Sequence, residues 1–332
     1  MCRMMSNSLP RRVSRMAPRG GLMMGLMLLV LLTGCYMYTP YYPSSTTTTT
    51  TSATATLNLT SPTKVVYTSA PLLEYDASHD VSVTLNGALV TTTSGNYLSD
   101  SVTGLNDLVV TELDSSGDAL TTSEVTFFLN DLASSDTEDF TSLDAEWVQT
   151  TTSGVDLIIS DNLSVQGATA VAGLGEVYKS FDSSTVTKCV QAMDVSLVKN
   201  NNAFAAVGFL GTTGEMLAAK LTKTGSSTYV LSITEVSTLV SGGATTIDSE
   251  TLTSITSGVA VRLYFYRNGA AYQACVADSS GTLLGTVNVA SYSSVIYNAG
   301  RLSSRGIILC PYDAADNTTT MVMVDNYACA MK

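Results

Sequence analysis

From residue 57 onward the chain runs in short stretches of alternating apolar and polar residues, separated by glycine, asparagine and aspartate turns. In Val81-Ser82-Val83-Thr84-Leu85 the period is two, which sets three apolar side chains on one face of a strand. Asn86-Gly87 follows at once and is the pair a type I′ hairpin favours. Gly95, Gly104 and Gly117 punctuate the next stretch at intervals of about ten residues, the rhythm of a small sandwich, and 125–129 reads as its last strand. Residues 131–139 are polar and acidic and mark a boundary. Beyond them, 157–159 and 163–165 flank an Asp161-Asn162 turn, and strands are predicted at 190–198, 204–210, 229–236, 306–310 and 321–327. The clearest hairpin joins 259–266 to 271–277. Its first arm turns Val261, Leu263 and Phe265 inward and Arg262, Tyr264 and Tyr266 outward. The pattern predicts an all-β chain, a small sandwich over 57–133 followed by a larger antiparallel one over 136–332.

The first 56 residues break this pattern. A basic stretch leads into the apolar run 21–32, about 12 residues long and too short for the ~20 of a spanning helix. The run suits the core of a secretory signal and ends in Leu32-Thr33-Gly34-Cys35. This segment resembles the signal and lipobox of bacterial lipoproteins. The resemblance implies cleavage of residues 1–34, acylation of Cys35 and a lipid-anchored, exported protein. Tyr36 stands where an aspartate would signal inner-membrane retention, which implies outer-membrane sorting in a Gram-negative cell. The alternative is a buried or re-entrant helix ending in an ordinary cysteine. Residues 35–56, with six consecutive threonines at 46–51, read as a low-complexity tether holding the modules off the membrane.

Charge narrows the partners. The 332 residues carry 28 acids and 16 bases, a formal −12, and only 13% are charged. Arg3, Arg11, Arg12, Arg15 and Arg19 all precede residue 20, so a chain trimmed of them carries 28 acids against 11 bases, −17. Such a body repels phosphate backbones, and nucleic acid is not an expected partner.

Residues 81–130 resemble bacterial immunoglobulin-like domains through strand-Asn-Gly-strand, a Gly104-Leu105-Asn106 turn and an Asp114-to-Gly117 turn. The resemblance implies a spacer or adhesive module. Residues 136–332 resemble the laminin-G-like or concanavalin-A-like jelly rolls. The points of likeness are Asp139-Phe140, Trp147, Asn162-Leu163-Ser164, the central hairpin, Gly300-Arg301-Leu302 and Val324-Asp325-Asn326. That likeness implies two packed antiparallel sheets, often one calcium ion, and carbohydrate or protein binding. After removal of Cys2 and acylation of Cys35, four cysteines remain, an even number that fits two disulfides in an exported chain. Three pairings are open. The jelly-roll strand order implies Cys189–Cys329 with Cys275–Cys310, and four buried thiols are the alternative.

Catalytic patterns are sparse. Glu112-Leu113-Asp114 begins the E-x-D-x-x-E string of the related glucanases, but Gly117 occupies the third acid's place. The S-x-x-K strings at Ser61–Lys64 and Ser196–Lys199 lack a helical setting, and His79, the single histidine, falls in a polar turn that leaves it on the surface. Asp139, Asp313, Asp316 and Asp325 are candidate ligands for a structural calcium, or else solvated loop acids. Arg262, Tyr264 and Tyr266 are the candidate glycan face, since exposed aromatic rings stack on sugars; Trp147 reads as core. The expectation is a non-enzymatic envelope protein tethered to lipid through Cys35 and binding glycan. The alternatives are a glycan-degrading enzyme and a structural or adhesive protein with protein partners.

Overall fold

The structure is a computed structural model that describes residues 54–134, 136–152, 154–167, 173–181, 186–198, 202–211, 215–236, 244–298, 300, 302–311 and 322–332. The chain divides into two compact units, Met1–Ser52 and Ala53–Lys332, and every described residue belongs to the second. The apolar run 21–32, Cys35 and most of the tether lie outside the described residues, as do Asp313 and Asp316.

The described chain is all-β apart from one four-residue helix, Val295–Asn298. In its first part a three-stranded sheet (Asn58–Ser61, Leu72–Asp76, Asn96–Tyr97) faces a five-stranded one built on the long hairpin of Gly104–Leu113 and Ala119–Leu129. Leu73, Val83, Leu85, Leu98, Leu108, Val110, Phe127 and Leu129 form its core. Val83 and Leu85 sit there because the period-two pattern aims them inward. Asn86 and Gly87 close the hairpin with φ of 53° and 77°, the left-handed values a type I′ turn requires. Asp114 Oδ1 accepts from the amides of Ser116 and Asp118 at 2.8 and 2.9 Å and forms the second expected turn. Gly104-Leu105-Asn106 is not a turn: it opens a strand.

The larger sandwich packs a seven-stranded sheet on an eight-stranded one. The first has Leu302–Cys310 and Ala203–Gly211 near its middle. The second is centred on Val322–Met331, Lys188–Leu197 and Val261–Asn268. Val261, Leu263 and Phe265 enter the core between the sheets together with Phe209, Ile307, Val324 and Trp147, so the alternation read from the hairpin holds and Trp147 is core. The short strand Asp136–Glu138 pairs with the end of Val322–Met331. Arg305 anchors it with an ion pair to Asp136, which Lys179 also contacts at 3.2 Å.

The two sandwiches are docked. Leu105 and Phe128 from the first pack with Val190, Ala192, Tyr264, Tyr266, Cys275, Ala277 and Leu283 on the outer face of the eight-stranded sheet. Backbone pairing continues across the seam, from Val66 N to Gly281 O and from Leu283 N to Lys64 O, both 2.9 Å. Leu105 N donates to Gln273 Oε1 at 2.8 Å. Gly104 makes this approach possible: with φ at +100°, a Cβ there would lie 2.3 Å from Gln273 Oε1 and 2.6 Å from the Tyr266 ring.

Candidate functional site

The docking corrects the expected glycan face. Arg262, Tyr264 and Tyr266 do point away from the inter-sheet core, but Tyr264 is 7% and Tyr266 2% exposed. The Phe128 ring lies 5.3 Å from Tyr264 and, edge-on, 6.5 Å from Tyr266. Alternation defines which side of a strand a residue takes and not what covers that side. Here the covering is the first sandwich, so neither ring is free to stack broadly on a sugar. Burial, with the nearby Asp131 charge, pushes the Tyr266 hydroxyl up to about 12.

Arg262 remains accessible. Its Nη1 donates to Asp194 Oδ1 at 2.8 Å, and Asp194 Oδ2 accepts from Asn326 Nδ2 at 2.9 Å. A β-bulge sets this chain of groups. Between the pairings Ala192↔Ala328 and Asp194↔Asp325 the last strand carries one residue more than its neighbour, and Asn326 takes φ of 48°. Asparagine tolerates that conformation, and a bulge of this kind re-aims a side chain. Asn326 is thereby turned toward Asp194 across the sheet surface.

Two grooves meet at this network. One, about 510 Å³, is lined by Thr137, Asp139, Thr141, Ser142, Arg262 and Asn326 among others. The second, about 490 Å³, lies at the seam between the sandwiches, with Val66 and Thr68 on one wall and Asp194, Arg262, Tyr264 and the 278–281 turn on the other. Both volumes fall within the ~300–1,000 Å³ of ordinary ligand sites. Asp194, Asn326 and Thr68 carry no signal in the sequence pattern, because three distant stretches bring them together.

The expected calcium ligands divide. Asp139 lines the first groove, but its Oδ1 accepts from Thr141 N and Thr141 Oγ1 at 3.1 and 2.9 Å. These bonds, backbone first, hold its carboxyl below the ordinary range. Asp325 Oδ1 accepts from Asn326 N at 2.8 Å. Among the described residues no three histidine, cysteine or carboxylate side chains gather as a metal site.

All four cysteines of the larger sandwich are buried thiols. Cys189 and Cys329 lie on neighbouring strands with sulfurs 3.9 Å apart. The expected Cys275–Cys310 bond is corrected. Cys275 packs under the first sandwich on one sheet's outer face, whereas Cys310 belongs to an apolar cluster with Ala206, Ala218 and Ile308. The strands bearing those three residues lie in the opposite sheet. The inter-sheet core therefore separates the two thiols.

The surface position expected of His79 is also corrected, and Glu112, which lacks the rest of a catalytic string, takes a structural role. Glu112 is fully buried and accepts from Ser78 Oγ at 2.7 Å and from the amides of Thr56, Leu57 and Ser78 at 3.0 Å, while His79 Nδ1 lies 2.7 Å away. His79 is partly sheltered, with its ring against this carboxylate. The pair is a structural clamp on the start of the body.

No protein-family model matches the chain, and no curated protein sequence does. Solved structures give weak likenesses. A protein of unknown function from Shewanella oneidensis MR-1 has a TM-score of 0.44 at 10% identity, over 59% of this chain and 85% of that one. The CBM2 module of the evolved Dit of Lactobacillus casei BL23 phage J-1 has 0.43 at 10%, over 59% and 94%. Lectin II from Ulex europaeus has 0.44 at 8%, over 60% and 100%.

Proposed function

We propose that this chain is an exported, lipid-anchored binding protein that recognises glycan in the polar groove beside Arg262. The observation that carries the reading is the groove's chemistry. Hydroxyls of Thr137, Thr141 and Ser142, the carboxylate of Asp139, the amide of Asn326 and the Arg262 guanidinium line one concavity of about 510 Å³. Sugars present hydroxyls that both donate and accept, and such a lining answers both. Arg262 and Asn326 are pre-positioned through Asp194 and spend little order on binding.

Binding is favoured over glycosidic hydrolysis. A general acid needs a raised pKa and a proton to give, whereas Asp139 is held low by Thr141. Glu138 Oε1 in the same groove accepts from Phe140 N at 3.1 Å. Anchoring would come from the lipobox cysteine, Cys35, with the threonine-rich tether as spacer. A Cys35→Ser chain is expected to lose incorporation of an alkyne-tagged fatty acid and to leave the membrane fraction.

The direct test is a glycan array probed with the full chain, with and without calcium chelator. Discrete hits that fall about tenfold or more in Arg262→Ala are expected. A blank array from folded protein overturns the glycan reading, and loss of hits in chelator assigns calcium a part in the site.

A further inference from the structure

Arg262 is a wall shared by both grooves, and the second groove exists only because the two sandwiches are docked. The hydrogen-bonded chain Arg262–Asp194–Asn326 has Asn326 on the first groove and Asp194 on the second. The seam groove differs in character from the first. Val66, Ala277 and the edge of Tyr264 give it apolar surface, while Thr68, Asp194 and Ser280 supply polar groups. Its far wall is a stiff turn: Asp278 Oδ1 accepts from Ser280 N at 2.8 Å, Ser280 Oγ at 2.6 Å and Thr282 N at 3.0 Å. Apolar patches beside fixed polar groups suit a sugar ring, whose faces are C–H rich and whose rim is hydroxylated.

Resting on the glycan reading above, we propose that the two grooves are consecutive subsites of one cleft, so that the ligand is an oligosaccharide lying across Arg262. The site is then completed by the first sandwich, through Val66 and Thr68, which is a binding part and not only a spacer. A single sugar would fill one groove and use one side of the Arg262 network. A longer chain would engage both, and the second contact becomes intramolecular, raising affinity without any new type of interaction.

The test uses the full chain and the monosaccharide and hexasaccharide of β-1,4-glucan, β-1,4-xylan, β-1,4-mannan and chitin, titrated calorimetrically. Wild type is expected to bind one hexasaccharide at least about tenfold more tightly than its monosaccharide. Thr68→Trp, which fills the seam groove from an exposed position, is expected to bring the hexasaccharide down to the monosaccharide level and leave the monosaccharide unchanged. Should Thr68→Trp disturb docking, seen as a lowered Tm, Ser279→Trp fills the same groove from the turn. Ser142→Trp is expected to weaken binding through the first groove. Equal affinity for the two lengths, or a hexasaccharide indifferent to both seam variants, overturns the two-subsite cleft while leaving the glycan reading intact. Absence of binding by wild type to any of the eight sugars, with a blank array, overturns both.

Discussion

At the scale of single residues, chemistry here depends on what each polar side chain is held against. Glu112 is the sharpest instance. Hydrogen bonds from Ser78, then His79 and the Ser78 and Thr56 amides, overcome burial and hold its carboxyl down to about 2 from an ordinary 4.5. A carboxylate with a depressed folded-state pKa contributes stability that is complete above its unfolded value. That contribution is lost as pH falls through the folded value. Protection of the Thr56 and Leu57 amides from hydrogen exchange is therefore expected to weaken between about pH 4.5 and about pH 2, and Glu112→Gln is expected to lack that loss. Amide exchange followed by mass spectrometry, corrected for intrinsic rates, reads both. Sequence spacing had already set Glu112 aside as a catalytic acid, since Gly117 takes the third acid's place, but it could not show this clamp, because spacing reports neither burial nor partners.

The cysteines make a second case at this scale. Cys189 and Cys329 share a buried contact, in which the neighbouring thiol and then burial push Cys189 up, while the hydrogen bond from Cys189 lowers Cys329. Burial alone pushes Cys275 up. Diamide, a two-electron oxidant that takes one hydrogen from each thiol, is expected to join Cys189 to Cys329. Cys275 and Cys310 are expected to stay reduced in peptide maps. A Cys275–Cys310 linkage in those maps would contradict the placement of the two residues on opposite sheets.

Among elements, the Gly104–Leu113 and Val261–Asn268 strands carry the docking. The Val261–Asn268 strand was legible from alternation and turn signals, and the Asn86-Gly87 turn down to its φ values; the Gly104–Leu113 strand was not, since its first three residues read as a turn. The mutual contact of the two strands was not legible either, because an exposed face and a face covered by another module have similar composition when the cover is itself aromatic. Gly104→Ala forces a side chain into Gln273 and Tyr266 at a left-handed φ. The expected cost is about 1–3 kcal/mol, as for overpacking, measured by chemical denaturation. Phe128→Ala removes the ring between Tyr264 and Tyr266 and is expected to cost about 3–5 kcal/mol.

For the molecule as a whole, two sandwiches with separate cores share a third apolar cluster and an isolated antiparallel bridge, Val65 to Thr282. The described body is expected to melt in one transition, with tyrosine fluorescence and far-UV circular dichroism coinciding. Residues 136–332 alone would bare Val190, Tyr264, Tyr266 and Leu283, and are expected to bind an apolar dye that the full chain does not. Two separated transitions in the full chain would mean that the seam contributes little.

The sequence by itself determined the all-β class, the Asn86-Gly87 and central hairpins, and which face of the 81–85 and 261–265 strands meets its core. Those follow from local period and turn chemistry, which act over a few residues. Only the tertiary structure decided that the outward face of the central hairpin is buried. It also decided that Arg262, Asp194 and Asn326 form one network, that Cys275 and Cys310 lie on opposite sheets, and that Glu112 clamps the start of the body. Each concerns residues tens of positions or more apart, and such placements are set by sheet order, a bulge of one residue and the shape of a docking seam.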